Sequence, residues 1–306
     1  MSDIDAARVN RRDFLKLSGA SLSGLLLQRP GQAMASGPAP GDLAILYDAS
    51  KCIGCRACER ACKEYNDLPA PTEPNTELSA TAWNLIAARE GVGLDDQPYF
   101  NYQCMHCTDA ACVVGCPSGA LFKDERGFVS LNQDRCIGCG YCTQFCPFGI
   151  PQLGEVNALS GKGKATKCTF CQEKTTAGAG GLACADVTTG GPSCAEACPT
   201  GALTWGERGA LLAEGKTRVA ELKTEGHSGA LFYGEHEAGG LHRMSILLDE
   251  PSAYGLPDDP GGSFTLARLY RKIIQPAGFA VFGAAFVGAI TAFALSRRSI
   301  HMEEIE

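Results

Sequence analysis

The sequence predicts an α+β chain: two similar modules, a C-terminal extension and one transmembrane helix. Three observations predict it. Cysteines recur in four runs of regular spacing. Short apolar segments flank those runs and repeat along the chain. One long uncharged stretch lies near the C-terminus. The length of 306 residues exceeds that of one ordinary domain. Lys plus Arg number 27 against 34 Asp plus Glu, a net charge of −7, which excludes a polyanion binder held by bulk charge. Apolar residues at 45% and charged residues at 20% exclude wholesale disorder. The 17 cysteines are too many for an ordinary core, in a chain too long for the small disulfide-stapled class.

Taken in order, the first element is a leader. Asn10-Arg11-Arg12-Asp13-Phe14-Leu15-Lys16 precedes a weakly apolar run, Leu17 to Leu27, which glycine and serine interrupt. Pro30 and Ala33-Met34-Ala35 follow, a small-residue cleavage pattern. Residues 1–35 therefore read as a twin-arginine signal peptide, too short in its apolar part to span a bilayer. That route exports folded proteins. The mature chain is expected to begin near Ser36 and to lie outside the cytoplasmic (inner) membrane, on its periplasmic side.

The cysteines come next. Cys52, Cys55, Cys58 and Cys62 form CxxCxxCxxxC, and Cys136, Cys139, Cys142 and Cys146 repeat that spacing before a proline. Cys104, Cys107, Cys112 and Cys116 form CxxCxxxxCxxxCP. Cys168 and Cys171 precede Cys194 and Cys198, which end in CxxxCP. Cys184 is left over. Three thiolates on one tight loop can meet three iron corners of a cubane cluster, with the fourth ligand supplied from a distant segment. In bacterial ferredoxins the fourth cysteine of each run serves the other cluster. Gly54, Gly138 and Gly140 allow positive φ, so that backbone N–H groups can face the cluster sulfurs. Structural zinc uses separated cysteine pairs, and three cysteines within seven residues are poor disulfide partners for each other. Both alternatives lose to [4Fe–4S] clusters, with a zinc-binding structural module as the remote one.

Internal repeats set the modules. Cys52-Ile53-Gly54-Cys55 recurs as Cys136-Ile137-Gly138-Cys139, and Cys116-Pro117-Ser118-Gly119-Ala120-Leu121 as Cys198-Pro199-Thr200-Gly201-Ala202-Leu203. Strands are expected at Leu43 to Tyr47, Leu121-Phe122, Gly127 to Leu131 and Leu203 to Trp205. Strand, cysteine loop, short helix and strand make a ferredoxin-like unit.

The last element is the uncharged stretch from Ile273 to Leu295, about 34 Å long as a helix and sufficient for a bilayer core of about 30 Å. Ala280, Ala284, Gly288 and Ala292 form a small-residue stripe that would let another helix approach. With no His and no acid, this helix is not expected to ligate haem. Arg268, Arg271 and Lys272 before it and Arg297 and Arg298 after it do not fix its orientation. The export signal does, leaving residues 296–306 as a cytoplasmic tail.

The segments CIGCRACERACKEYND (52–67), CMHCTDAACVVGCPSGAL (104–121), DRCIGCGYCTQFCPFGIPQL (134–153), KCTFC (167–171) and CAEACPTGAL (194–203) resemble the four-cluster iron–sulfur (beta) subunit of membrane-bound formate dehydrogenase. The likeness runs from about Leu43 to Leu295. The ferredoxin-like subunit of quinone-linked nickel–iron hydrogenase is similar, and it shares the twin-arginine signal that departs from the formate dehydrogenase pattern. The resemblance implies two dicluster ferredoxin modules, residues 43–103 with 160–205 and residues 104–159, followed by an extension towards the membrane over 206–272. It implies four ligand sets: Cys52, Cys55, Cys58 and Cys198; Cys62, Cys168, Cys171 and Cys194; Cys104, Cys107, Cys112 and Cys146; and Cys116, Cys136, Cys139 and Cys142. Thr175 to Pro192 is a Gly-rich departure. It holds Cys184, which rivals Cys194 as a ligand, but CxxxCP favours Cys194.

The implied function is electron transfer in an oxidoreductase complex, with no catalytic residue and no separate metal site in this chain. The implied partners are a catalytic large subunit (molybdopterin or nickel–iron), an integral membrane haem or quinone subunit, and the bilayer; nucleic acid is not among them. Among lesser candidates, His106 reads as a cluster neighbour or partner contact. Trp83, Trp205 and Tyr65 read as core or interface. Lys51, Arg135 and Lys167, each preceding a cluster cysteine, read as exposed flanking charges, with an electrostatic effect on potential as the alternative.

Overall fold

The computed structural model describes residues 38, 41–89, 99–124, 126–154, 163–172 and 191–299. The predicted leader, Cys184 and the end of the tail lie outside the described residues. In chain order the main elements are β1 (Leu43–Asp48), α1 (Ala57–Tyr65), β2 (Leu85–Ala88), β3 (Tyr99–Tyr102), α2 (Ala111–Val114), β4 (Leu121–Lys123), β5 (Val129–Leu131), α3 (Tyr141–Phe145), β6 (Gln152–Leu153) and β7 (Ala165–Thr166). There follow α4 (Ser193–Glu196), β8 (Leu203–Glu207), α5 (Arg208–Thr224), β9 (Leu231–Tyr233), β10 (Arg243–Leu247), α6 (Gly261–Leu269), a π-helical turn (Tyr270–Ile274) and α7 (Gln275–Ser299).

One four-stranded sheet is ordered β8-β1-β10-β9. Strand β1 runs antiparallel to β8 and parallel to β10, so Ile45 stands between Trp205 and Arg243. All six residues of β1 are buried, as expected of a strand covered on both faces. Leu43, Ile45 and Tyr47 face the core that holds Cys52, Cys58 and Cys194. Ala44 and Leu46 face the other way, against Leu211, Val219 and Leu222 of α5. At Gly215 an added Cβ would stand 2.2 Å from the Phe232 ring, so glycine lets α5 lie close on the sheet.

The four expected strands are β1, β4, β5 and β8. The extension does more than lead to the membrane. Its β9 and β10 complete the four-stranded sheet, and α5 covers one face. The reason is non-local pairing: β10 needs β1, which lies far away in sequence, before it has a partner. The remaining short strands form antiparallel pairs, among them β4 with β5 and β6 with β7.

From Gly261 to Ala294 the chain forms one helix long and apolar enough to cross a membrane. It starts earlier than the Ile273 to Leu295 span read from charge. Its Phe279, Phe282 and Phe286 are exposed. At 100° per residue they lie opposite Ala280, Ala284, Gly288 and Ala292.

Candidate metal centres

Four short helical segments place the cysteines. Cys58 and Cys62 lie on α1. Cys112 sits on α2 with Cys116 four residues on, and the same step separates Cys142 from Cys146 and Cys194 from Cys198. A helical step of four returns a side chain to the same face about 6 Å further along. Each helix thus offers one thiol to each of two neighbouring hollows. The preceding loops need left-handed backbone at Gly54 (φ 69°), Gly138 (φ 68°) and Gly140 (φ 77°). At Gly54 an added Cβ would meet the Tyr99 ring at 2.5 Å.

The folded chain redistributes the four runs. Cys52, Cys55, Cys58 and Cys198 line one hollow, and Cys116, Cys136, Cys139 and Cys142 line another. Cys62, Cys168, Cys171 and Cys194 lie within electrostatic reach of one another. So do Cys104, Cys107, Cys112 and Cys146. These are called sites 1, 4, 2 and 3 below, in that order of mention. They form a series. Sites 1 and 2 share α1 and α4, site 2 meets site 3 where Cys168 neighbours Cys104, and sites 3 and 4 share α2 and α3. Site 4 adjoins the start of the long apolar C-terminal helix. The Arg271 guanidinium donates to the carbonyls of Val114 (2.9 Å) and Cys116 (3.1 Å), and the Tyr270 and Tyr141 hydroxyls lie 2.8 Å apart.

Donors converge on the sulfurs. Backbone N–H groups of Leu203, Ala165 and Phe170 reach Cys198, Cys136 and Cys168 at 3.4, 3.3 and 3.4 Å. The Asn66 and Asn101 amides donate to Cys62 (3.7 Å) and Cys58 (3.6 Å). Burial first, and then the charge of Glu59 and the thiols of Cys52, Cys198 and Cys55, push Cys58 up to about 12. Burial and its three site 4 neighbours do the same to Cys142, to about 12. Burial raises Cys146 to about 11 even though N–H groups of Ile150, Phe148 and Gly149 pull it back. Thiols packed in this way do not ionise together unless positive charge is bound among them.

The donor set therefore fits a metal group of sulfur preference. Among the described residues no three His, Cys, Asp or Glu side chains close around a single point as a lone ion requires. Four thiols around a wider hollow suit a polynuclear cluster better than one tetrahedral zinc. Bound there, iron–sulfur clusters supply one-electron chemistry. The chain supplies thiolates, donors to sulfur and exclusion of water.

Lys51 and Arg135 are exposed, as flanking charges should be. Lys167 is not: it is 2% exposed, and its Nζ donates to the carbonyls of Val129 (2.5 Å) and Cys168 (2.8 Å). The short β7 turns it inward. His106 is fully buried, so it is no partner contact. Its Nδ1 accepts the Val129 N–H at 3.1 Å, and its ring packs edge-on to Phe170. Trp83, Trp205 and Tyr65 are half-buried. Asn66, Asn101, Gln103 and Arg243 escape a reading by cysteine motif. Asn101 lies in β3 and Gln103 just after it, next to CMHC, and Arg243 arrives with β10.

Comparison with known proteins agrees with this chemistry. A 4Fe-4S dicluster domain matches residues 96–208, and a 4Fe-4S binding domain matches residues 43–64. The iron-sulfur subunit of formate dehydrogenase-O from Escherichia coli K12 is 34% identical, over 81% of this chain and 82% of its own. The nitrate-inducible formate dehydrogenase iron-sulfur subunit of the same organism is 35% identical, over 81% and 83%. The hydrogenase-2 operon protein HybA of Escherichia coli O157:H7 is 36% identical, over 88% and 92%.

Proposed function

The chain belongs to the family of iron–sulfur electron-transfer subunits represented in formate dehydrogenases and by HybA, and from that premise we propose that it carries electrons between an extracytoplasmic catalytic subunit and a haem or quinone subunit in the membrane. It binds [4Fe–4S] clusters. The proposed number is four, held by Cys52, Cys55, Cys58 and Cys198 at site 1, Cys62, Cys168, Cys171 and Cys194 at site 2, Cys104, Cys107, Cys112 and Cys146 at site 3, and Cys116, Cys136, Cys139 and Cys142 at site 4. The observation that carries this reading is the regrouping of four sequence runs into a connected series of four-thiol sites.

The ends of the series have different surroundings. Site 4 lies where Arg271 and Tyr270 lead into the membrane helix, which supports it as the terminus facing the membrane subunit. Site 1 has the exposed ligand Cys55, whereas no cysteine of site 4 is fully exposed, which supports site 1 as the terminus facing the catalytic subunit. The twin-arginine leader supports export and a body outside the cytoplasmic membrane. Residues 43–103 with 160–205, and residues 104–159, make the two proposed ferredoxin-like modules.

A formate dehydrogenase partner is supported by the cysteine-flanking segments. A nickel–iron hydrogenase partner is favoured by the leader and by the greater share of the chain matched to HybA. Purification of the C-terminally tagged chain from gently solubilised membranes, without oxygen, tests the reading. It should yield about sixteen irons and about sixteen acid-labile sulfides per chain, together with a large subunit identifiable by mass spectrometry. A molybdopterin protein assigns formate as the donor to be assayed, and a nickel–iron protein assigns hydrogen. Stoichiometric zinc without sulfide refutes the reading altogether.

A further inference from the structure

Two buried cations act on site 2, Lys167 beside its ligand Cys168 and Arg243 within electrostatic reach of Cys194. Arg243 is 0% exposed and Lys167 2% exposed. Among the described residues neither makes an ion pair with a carboxylate. The Arg243 guanidinium donates to Asn101 O (2.5 Å), Asn101 Oδ1 (3.2 Å) and the Ser245 hydroxyl, and it stacks 4.9 and 5.0 Å from the Tyr47 and Phe100 ring centres. The thiols whose charge it feels are Cys194 of site 2 and then Cys58 of site 1. Lys167 is bonded to the carbonyl of the ligand Cys168, and its charge also reaches Cys112 of site 3. Gln103, also buried, has its side-chain oxygen 3.8 Å from the sulfurs of both Cys168 and Cys194, while its Nε2 has no partner. Amide oxygen and nitrogen are interchangeable assignments. Against two metal-bound thiolates the turned amide donates N–H to both sulfurs, and the orphaned nitrogen is satisfied.

The other sites lack this combination. Site 1 has the buried Glu59 carboxylate beside Cys58. At site 3 the Lys123 ammonium donates to the Cys107 carbonyl (2.8 Å), but the charges of Asp42 and Asp124 offset it, and among the described residues no buried arginine joins it. Arg271 at site 4 is exposed, where water and salt screen it. Uptake of one electron adds one negative charge to a site, and an uncompensated buried cation or a donor to sulfur favours the more negative state.

We infer that Lys167, Arg243 and Gln103 make site 2 the most easily reduced of the four, so that an electron entering the series rests there before it moves on. All three are positioning residues, since each acts on the site through space or through a sulfur ligand. The inference rests on the ligand assignment of Cys62, Cys168, Cys171 and Cys194 proposed above.

The test is a redox titration of the purified complex followed by electron paramagnetic resonance, with iron counted in each sample. Cys168→Ser identifies the site 2 component by removing or altering it, and in the wild type that component should be the first reduced as the potential falls. Lys167→Gln and Arg243→Gln should each lower its reduction equilibrium at least tenfold, which is 59 mV for one electron, with full iron and the other components in place. Lys167→Arg should restore it. Gln103→Met, which removes the donor without touching a charge, should move the same component in the same direction. It decides alone if either cation variant fails to load iron. Full iron with an unmoved site 2 component in these variants overturns the inference while leaving the ligand assignment standing. A Cys168→Ser protein that keeps every component and all its iron overturns the ligand assignment instead.

Discussion

Gly54 and Gly201 flank cysteines of the same site 1 hollow, and replacing each with alanine separates backbone strain from steric clash. Both have left-handed backbone, φ 69° and φ 64°. An L-residue there costs about 1–2 kcal/mol relative to glycine. At Gly201 an added Cβ meets nothing within 4 Å, so that is the whole penalty. At Gly54 it stands 2.5–2.6 Å from three atoms of the Tyr99 ring. Tyr99 is not free to retreat, because its carbonyl accepts the Tyr47 hydroxyl at 2.8 Å and it pairs with Ala88 across β2 and β3. Overpacking of this kind adds about 1–3 kcal/mol. Gly54→Ala should therefore lose its site 1 cluster about 5- to 150-fold faster than Gly201→Ala under anaerobic chelator challenge, followed by the resonance component that Cys55→Ser removes. Adding Tyr99→Ser should return Gly54→Ala close to the Gly201→Ala rate, a coupling read by double-mutant cycle. Equal loss rates for the two glycine variants would refute the assignment of the Tyr99 contact as the cause.

Cys139→Ser should damage one cluster and cost up to about four irons per chain, whereas Cys184→Ser should leave the iron count unchanged; iron analysis of both proteins decides. Burial first, and then the Lys123 charge, hold His242 down at about 4 against 6.5 for an ordinary histidine. The native state thus binds fewer protons than the unfolded chain between those values, so this contribution is present above pH 6.5 and is lost as pH falls towards 4. The gap is worth at most about 3 kcal/mol at about 1.36 kcal/mol per pH unit. His242→Asn should flatten the acid side of the profile of cluster retention against pH, and an unchanged slope counts against the histidine. Arg271→Ala removes an exposed hydrogen bond to Val114 and a part-buried one to Cys116, each worth about 1 kcal/mol. It should slow electron delivery to quinone several-fold with iron intact, measured with dithionite as donor to the reconstituted complex.

The cysteine spacing carried the chemistry because CxxxC is itself a geometric statement: one helical turn, two neighbouring sites. Strands β1, β4, β5 and β8 were legible because each is a short apolar run beside a repeated cysteine loop. Strands β9 and β10 were not, because 231–233 and 243–247 carry no motif and acquire meaning only through pairing with β1. The same gap hid Arg243, whose side chain becomes a neighbour of Cys194 through a strand register that no local pattern states. Lys167 was visible, but its burial was not. A lysine beside a cysteine reads as exposed charge until β7 is paired with β6 and the side chain is seen bonded to Val129 and Cys168. The helix reaches further back than the uncharged stretch Ile273–Leu295. Arg268, Arg271 and Lys272 break the apolar run but not the helix, which continues through the π turn at Tyr270–Ile274.

Solvent access along the series bears on durability as well as on potential. Cys55 at site 1 is exposed, and Cys136 and Cys139 at site 4 are half-buried, whereas all four cysteines of site 2 are buried. Exposed thiolates are the ones that chelator, oxygen and proton reach first. Yet the sites are not independent, since Cys58 and Cys62 share one helix and so do Cys112 and Cys116 across α2 and the turn after it. Loss of an outer cluster frees a helix that also holds an inner ligand. Slow challenge should therefore strip the chain in order, sites 1 and 4 before 2 and 3, with each outer loss accelerating the inner one beside it. Staged iron release of this kind, with the component assigned to site 2 persisting longest, is what the burial pattern requires. Release of all iron in a single kinetic phase would mean that the two modules unfold as one unit before any cluster leaves.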